Sequence, residues 1–333
     1  MLNINTIQMV VTEGTGVQTF TVRNEPMHDP DLISLRKVDS VTGRPIPQGN
    51  ATFAGARYTI EFRYVAGGPI IRTWIFEVRY MGGWYGFNMA NPAHRVGGDP
   101  LWMDSGFPVF PIGHYTIRES TAPTGYILDP TNWTATVSSV RDGGINTIRF
   151  QTINWPAGST VNRQLRHPEV AITDGRVSIE KFCVHTGSMR HGDATTIGTV
   201  YRLVNRSTNY VVINGQILEV GQHIDFPTQL VGGRSLAELT GLPFGTYEIF
   251  EVQPATGFLL DGPPFRHTFT VNATNHTHNF HTSNASRNYI QRGSIVVPKI
   301  DRERATNVSQ GDGTLQGAVI EVINRSTASK RKW

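Results

Sequence analysis

The sequence is short of cysteine, of charge and of long apolar runs. Its one cysteine, Cys183, excludes an intramolecular disulfide and, on sequence grounds, a cysteine-based metal site. It is expected as a small buried hydrophobe at the end of a strand that begins at Val177. Charged residues make up 17% of the 333 positions, which is low for a helical protein. The formal charge of +4 is spread thinly, with a cluster only at Lys330, Arg331 and Lys332, so no basic stripe exists for nucleic acid. No apolar run approaches the ~18 residues that a membrane helix requires. The opening residues lack a charged segment followed by an apolar one, so any export signal is expected outside the chain. Nucleophile elbows, phosphate-cradling glycine loops and His-Glu-x-x-His patterns are missing as well. Turnover on an outside substrate is therefore not expected, and neither a cofactor nor a metal is called for.

What is abundant is turn chemistry, with 34 glycines and 19 prolines. Between those clusters lie short segments rich in β-branched and aromatic residues, such as TWIFEVRY, HYTIRES, TVYRLVN and TYEIFEV. This predicts an all-β protein of tandem antiparallel β-sandwich domains. One helical turn is expected at most, over SLAEL at 235–239. The chain also repeats itself. DLISLRKVDSVTG, GRVSIEKFCVHTG and GSIVVPKIDRERA carry Lys37, Lys181 and Lys299. FPIGHYTIRESTAPTGYILD and LPFGTYEIFEVQPATGFLLD carry Glu119 and Glu251. Asn24, Asn154 and Asn284 close three further similar segments and recur 130 residues apart. The order Lys, Glu, Asn defines complete units over 31–158 and 174–288, with linker between them. Residues 1–28 and 292–333 read as the last and first strands of truncated units, in which Asn24 and Lys299 lack partners.

Side chains alternate faces along a strand, so parity identifies which residues share a surface. Lys37 is in phase with Ile33 and Leu35, Lys181 with Val177 and Ile179, Glu119 with Tyr115 and Ile117, and Glu251 with Tyr247 and Ile249. Asn154 and Asn284 follow Phe150 and Phe280 in the same way. Each unit thus aims an amine, a carboxyl and a carboxamide at one interior. Buried singly, such groups cost several kcal/mol, so they are expected to meet. Two outcomes satisfy that demand. One is a noncovalent buried network. The other is chemistry, because a dry site favours the neutral amine and the protonated acid, and a neutral amine held against a carboxamide can attack it.

GRVSIEK, LPFGTYEIFE and FHTSN, with SLRKVD, FPIGHYTIRE, APTGY and FQTIN in the first unit, resemble the Cna B-type, or SpaA-like prealbumin-fold, repeats of Gram-positive pilins and surface adhesins. The resemblance implies an autocatalytic isopeptide bond in each complete unit. Lys37 would join Asn154 with help from Glu119, and Lys181 would join Asn284 with help from Glu251. Asn162 is a competing partner for Lys37. The implied role is a structural stalk on the cell surface or wall, partnered by neighbouring repeats. The alternative is an adhesin that binds a host matrix or cell-surface ligand. Its candidate surface is the aromatic insertion at 79–106 of the first unit, through Trp84, Tyr85, Phe87, Trp102 and Met103.

Overall fold

The computed structural model describes residues 28–29, 33–142, 145–159, 163–260 and 264–323. Among them no α-helix occurs, and the regular structure is strand with two short 3₁₀ turns. The first unit is built from β1 (Ser34–Asp39), β2 (Arg57–Arg63), β3 (Arg72–Glu77), β4 (Tyr85–Asn88), β5 (Gly113–Thr121), β6 (Asn132–Asp142), β7 (Ile145–Ile153) and β8 (Gln164–Glu169). One antiparallel sheet runs in the order β7-β6-β5-β2-β3 and is extended by Arg95–Gly98. The other has the order β8-β1-β4 and ends on Arg79–Tyr80. Alternation does what the sequence asks of it: Tyr115, Ile117 and Glu119 of β5 are buried, while His114, Thr116 and Arg118 point outward or to the edge. Tyr58, Trp74, Phe76, Tyr115 and Trp133 fill the space between the sheets.

The second unit repeats the plan with β9 (Gly175–Cys183), β10 (Arg190–His191), β11 (Val200–Asn205), β12 (His223–Pro227), β13 (Arg234–Leu242), β14 (Gly245–Gln253), β15 (Arg266–Val271), β16 (Thr277–Phe280) and β17 (Ser286–Ile290). An antiparallel sheet β12-β11-β14-β15 faces a sheet centred on β9. A small recurring detail ties the units together. Tyr115 Oη donates to Pro111 O at 2.6 Å, and Tyr247 Oη donates to Pro243 O at 2.9 Å.

In both units the first strand pairs in parallel with the last. In the first unit β1 pairs with β8, so that Lys37 faces His167 and Asp39 faces Glu169. In the second, β9 pairs in parallel with β16 through its first half and with β17 through its end, where Lys181 faces Ser286 and Cys183 faces Asn288.

Several expectations are corrected by these strands. SLAEL lies within β13, paired with β9 and alternately packed, because burial between sheets overrides its weak helical preference. The insertion at 79–106 contributes β4, a full partner of β1, rather than a free loop. Phe87 is wholly buried and touches Tyr58 and Phe76; Tyr85 packs edge-on against Phe53. Trp102 lies against Phe62 and Trp74, and Trp84 lies under the guanidinium of Arg36. Of the five candidate binding residues only Met103 is exposed. Residues 291–323, including Lys299, are mostly exposed and form no strand, in place of the first strands that the sequence reading assigns to this stretch. Asn24 and Asn162 lie outside the described residues.

The units are joined closely. Gly49 N donates to Tyr210 O at 2.7 Å, Asn209 N to Gly49 O at 3.0 Å and Asn50 N to Phe244 O at 2.9 Å. Arg44 covers the Tyr210 ring at 4.5 Å and pairs with Glu219 at 2.7 Å, while Tyr210 Oη meets Thr42 Oγ1 at 2.8 Å.

Candidate crosslinking site

In the second unit Lys181 rises from β9 into the core with no exposed surface. Its Nζ donates to Asn288 Oδ1 at 2.6 Å, to Ser286 Oγ at 2.9 Å and to Glu251 Oε2. Asn288 Nδ2 donates in turn to Glu251 Oε1. The Glu251 carboxylate can only accept, so the end of the Asn288 amide that meets it is the NH2 and the end turned to Lys181 is the oxygen. One carboxylate therefore bridges the amine and the amide NH2. Burial lowers the Lys181 pKa to about 8, an effect that the charge and hydrogen bond of Glu251 partly offset. The neutral, nucleophilic form is thus closer to reach at neutral pH than for an ordinary lysine.

Asn284 is not at this site. It is exposed at the end of the 3₁₀ turn Thr282–Asn284. The chain reverses its phase at that turn and re-enters the core as β17, which brings Ser286 and Asn288 inward. The parity that places Asn284 in line with Phe280 is broken by the turn itself. The alternation of SRNYI, buried at Ser286 and Asn288, is the sequence signal that points to the residue that meets Lys181.

The first unit differs in chemistry. Lys37 is again fully buried, and its Nζ donates to Glu119 Oε1 at 2.5 Å and to Glu169 Oε1. Glu169 lies two residues beyond the partner of the lysine on the last strand, as Asn288 does. Where the second unit has Ser286, the first has His167. The His167 Nδ1 lies 2.9 Å from Glu169 Oε1 and also meets Tyr58 Oη, while its Nε2 lies 3.1 Å from Asp129 Oδ2. Asp129 N donates to Glu119 Oε2 at 2.9 Å. Burial pushes the Glu169 carboxyl up, but the His167 hydrogen bond and the charge of Lys37 outweigh it and hold the pKa below the ordinary value. Both partners of Lys37 are acidic side chains, and neither is an amide. Asn154 stands exposed just past β7 with φ of +64°, on the opposite sheet from β1. The strand that carries Glu169 falls in the stretch read as linker, because Pro168 interrupts its pattern. The alternate burial of Leu165, His167 and Glu169 is the signal it leaves.

His267 and His278 of the second unit pack on aromatic rings, His267 stacked on Phe280 at 4.5 Å and His278 against Phe269 at 4.5 Å. His281 Nε2 meets Ser178 Oγ.

The fold defined by these sheets is all-β and prealbumin-like. A model of the SpaA prealbumin-like fold domain matches residues 105–152, from just before β5 into β7 and including Glu119. No curated protein matches the chain. Among solved structures, the chain is similar to the Bacillus anthracis TIE protein, at 14% identity and a TM-score of 0.38, over 78% of this chain and 34% of that one. It is similar to a C-terminal fragment of the pilus adhesin SpaC from Lactobacillus rhamnosus GG, at 11% identity and a TM-score of 0.35, over 79% of this chain and 100% of that one. A third is BcpA, the major pilin subunit of Bacillus cereus, at 12% identity and a TM-score of 0.25, over 74% and 97%. The chain spans about a third of the length of the Bacillus anthracis protein. No helix among the described residues is long and apolar enough to cross a membrane.

Proposed function

We propose that this chain is a stalk segment of a bacterial cell-surface or pilus-type protein, in which the second unit closes itself with a Lys181–Asn288 isopeptide bond and the first is held by an ionic clamp. The observation that carries the reading is the convergence of Lys181, Glu251 and Asn288 between the first and last strands of one dry core. The SpaA-like match supports it.

The chemistry follows from the contacts. Lys181 Nζ attacks the Asn288 carboxamide carbon, and an Nζ–Cγ bond forms while the Cγ–Nδ2 bond breaks. Glu251 accepts a proton from the amine through Oε2 and delivers one to Nδ2 through Oε1, so that ammonia leaves. The reaction happens once and has no outside substrate. Among the described residues Lys37 meets Glu119 and Glu169 and no carboxamide, so no equivalent step is assigned to it, in place of the expected one bond per unit. The adhesin reading is weakened by the aromatics it relied on, since four of the five are packed into or against the first unit.

Intact-mass measurement of the folded chain tests this. The mass is expected about 17 Da below the calculated value, one ammonia, rather than about 34 Da. The Glu251→Gln variant is expected at its full calculated mass. A full-mass native chain, or an undiminished deficit in Glu251→Gln, would refute the reading.

A further inference from the structure

We propose that Cys183, His185 and His191 form a metal site for a borderline divalent cation of the zinc type, at the end of the second unit where β9 turns into β10. A single cysteine excludes an all-cysteine site but not a mixed one, and here two histidines supply the remaining donors. One donor atom from each of the three residues lies within 4.8 Å of the others. Cys183 Sγ is 3.4 Å from His191 Nδ1. The His185 and His191 rings stand nearly perpendicular at 88°, with centroids 5.8 Å apart.

Around a tetrahedral zinc ion, bonds of about 2.3 Å to sulfur and 2.0–2.1 Å to nitrogen put neighbouring donors roughly 3.3–3.6 Å apart. The Cys183–His191 pair already has that spacing. His185 is exposed and can swing the remaining distance. The loop is held by its own bonds. Gly187 N donates to Cys183 O at 3.0 Å, Cys183 N to Ser188 O at 2.8 Å, and Thr186 Oγ1 to Arg190 O at 2.8 Å. Such pre-formed geometry lowers the ordering cost of gathering ligands.

The surroundings suit a metal with one open position. Cys183 packs with Ala255 and Phe258, and Ala194 and Ile290 lie against them, giving an apolar wall behind the sulfur. The opposite side is open at His185. One group opposes the ion: Arg292 Nη2 donates to His185 Nε2 at 2.5 Å, so its guanidinium must move aside. Arg292 is exposed and its displacement is cheap. With three protein ligands and a solvent-facing fourth position, the set is that of an open zinc site.

Titration of the whole chain with cobalt(II), followed by zinc(II) competition, tests the proposal. One equivalent of cobalt is expected to bind with a thiolate-to-metal absorption band, and zinc should displace it. Cys183→Ser should abolish the band. Because Cys183 is buried, the exposed His185→Ala is the second variant; it should keep the native circular dichroism yet weaken binding by more than the ~10–100-fold typical of an outer-shell change. Arg292→Ala should tighten binding. Absence of stoichiometric cobalt binding, or a thiolate band and affinity unchanged in His185→Ala, would overturn it.

Discussion

Lys37 and Lys181 occupy matching places on first strands, yet one faces two carboxylates and the other a carboxylate and a carboxamide. Two acids around one lysine make a clamp, and the Glu169 carboxyl, held below its ordinary pKa, is the part of it that acid can undo. Glu169→Ala would leave Lys37 with one partner in a dry core, and removing one member of a buried ion pair costs about 3–5 kcal/mol. Denaturant unfolding monitored on the first unit should record that loss, and an unchanged midpoint would speak against the clamp. The pH dependence has a definite sign. A carboxyl whose folded pKa lies below its unfolded one adds stability that is complete above the unfolded value, about 4.3 for glutamate, and is lost as pH falls through the lower folded value. The first unit should therefore weaken in acid below that range, while a covalently closed second unit keeps its link. The two lysines and the two assisting glutamates were legible in the sequence because each shares a strand and a phase with apolar residues. Their third partners were not, since both follow irregular chain: a 3₁₀ turn before Asn288 and a proline beside Glu169.

At the scale of elements, β4 shows why a composition reading of the insertion misleads. A stretch with glycine pairs and scattered aromatics has the makings of a mobile binding loop, and its short strands give no clear period. Its register against β1 sends Phe87 inward between Tyr58 and Phe76. Phe87→Ala should therefore act as a core deletion, costing about 3–5 kcal/mol, measurable as a shift of the chemical unfolding midpoint. Wild-type stability in that variant would return the segment to the status of a loop. The main strands, by contrast, were readable: GHYTIREST and GTYEIFEVQ alternate cleanly, and each ends on the glutamate of its unit or just past it.

At the scale of the whole molecule, the two units meet through the contacts around Gly49 and Tyr210. Gly49 has φ of +54°, and a Cβ there would stand 2.0 Å from Phe244 O, a backbone atom that cannot give way. Gly49→Ala should unseat the joint while both units stay folded, seen as a broadened interdomain distance distribution between spin labels on the two units. An unaltered distribution would mean that the joint does not depend on this approach. In the proposed stalk, the proposed Lys181–Asn288 link of the second unit would matter most. Lys181 and Asn288 are separated by 107 positions, and closing a loop of about 100 residues removes on the order of 4.7 kcal/mol of chain entropy from the unfolded state. The same closure keeps the intervening chain from extending under load.

The most direct measurement is a tryptic map of the denatured chain. Cleavage after Arg176, Arg190, Arg287 and Arg292 separates the strand bearing Lys181 from the short peptide that begins at Asn288, and leaves Asn284 on a different fragment. The account predicts one branched species joining peptide 177–190, uncut at Lys181, to peptide 288–292. Recovery of both as linear peptides, or of Lys181 joined to the fragment that carries Asn284, would contradict it.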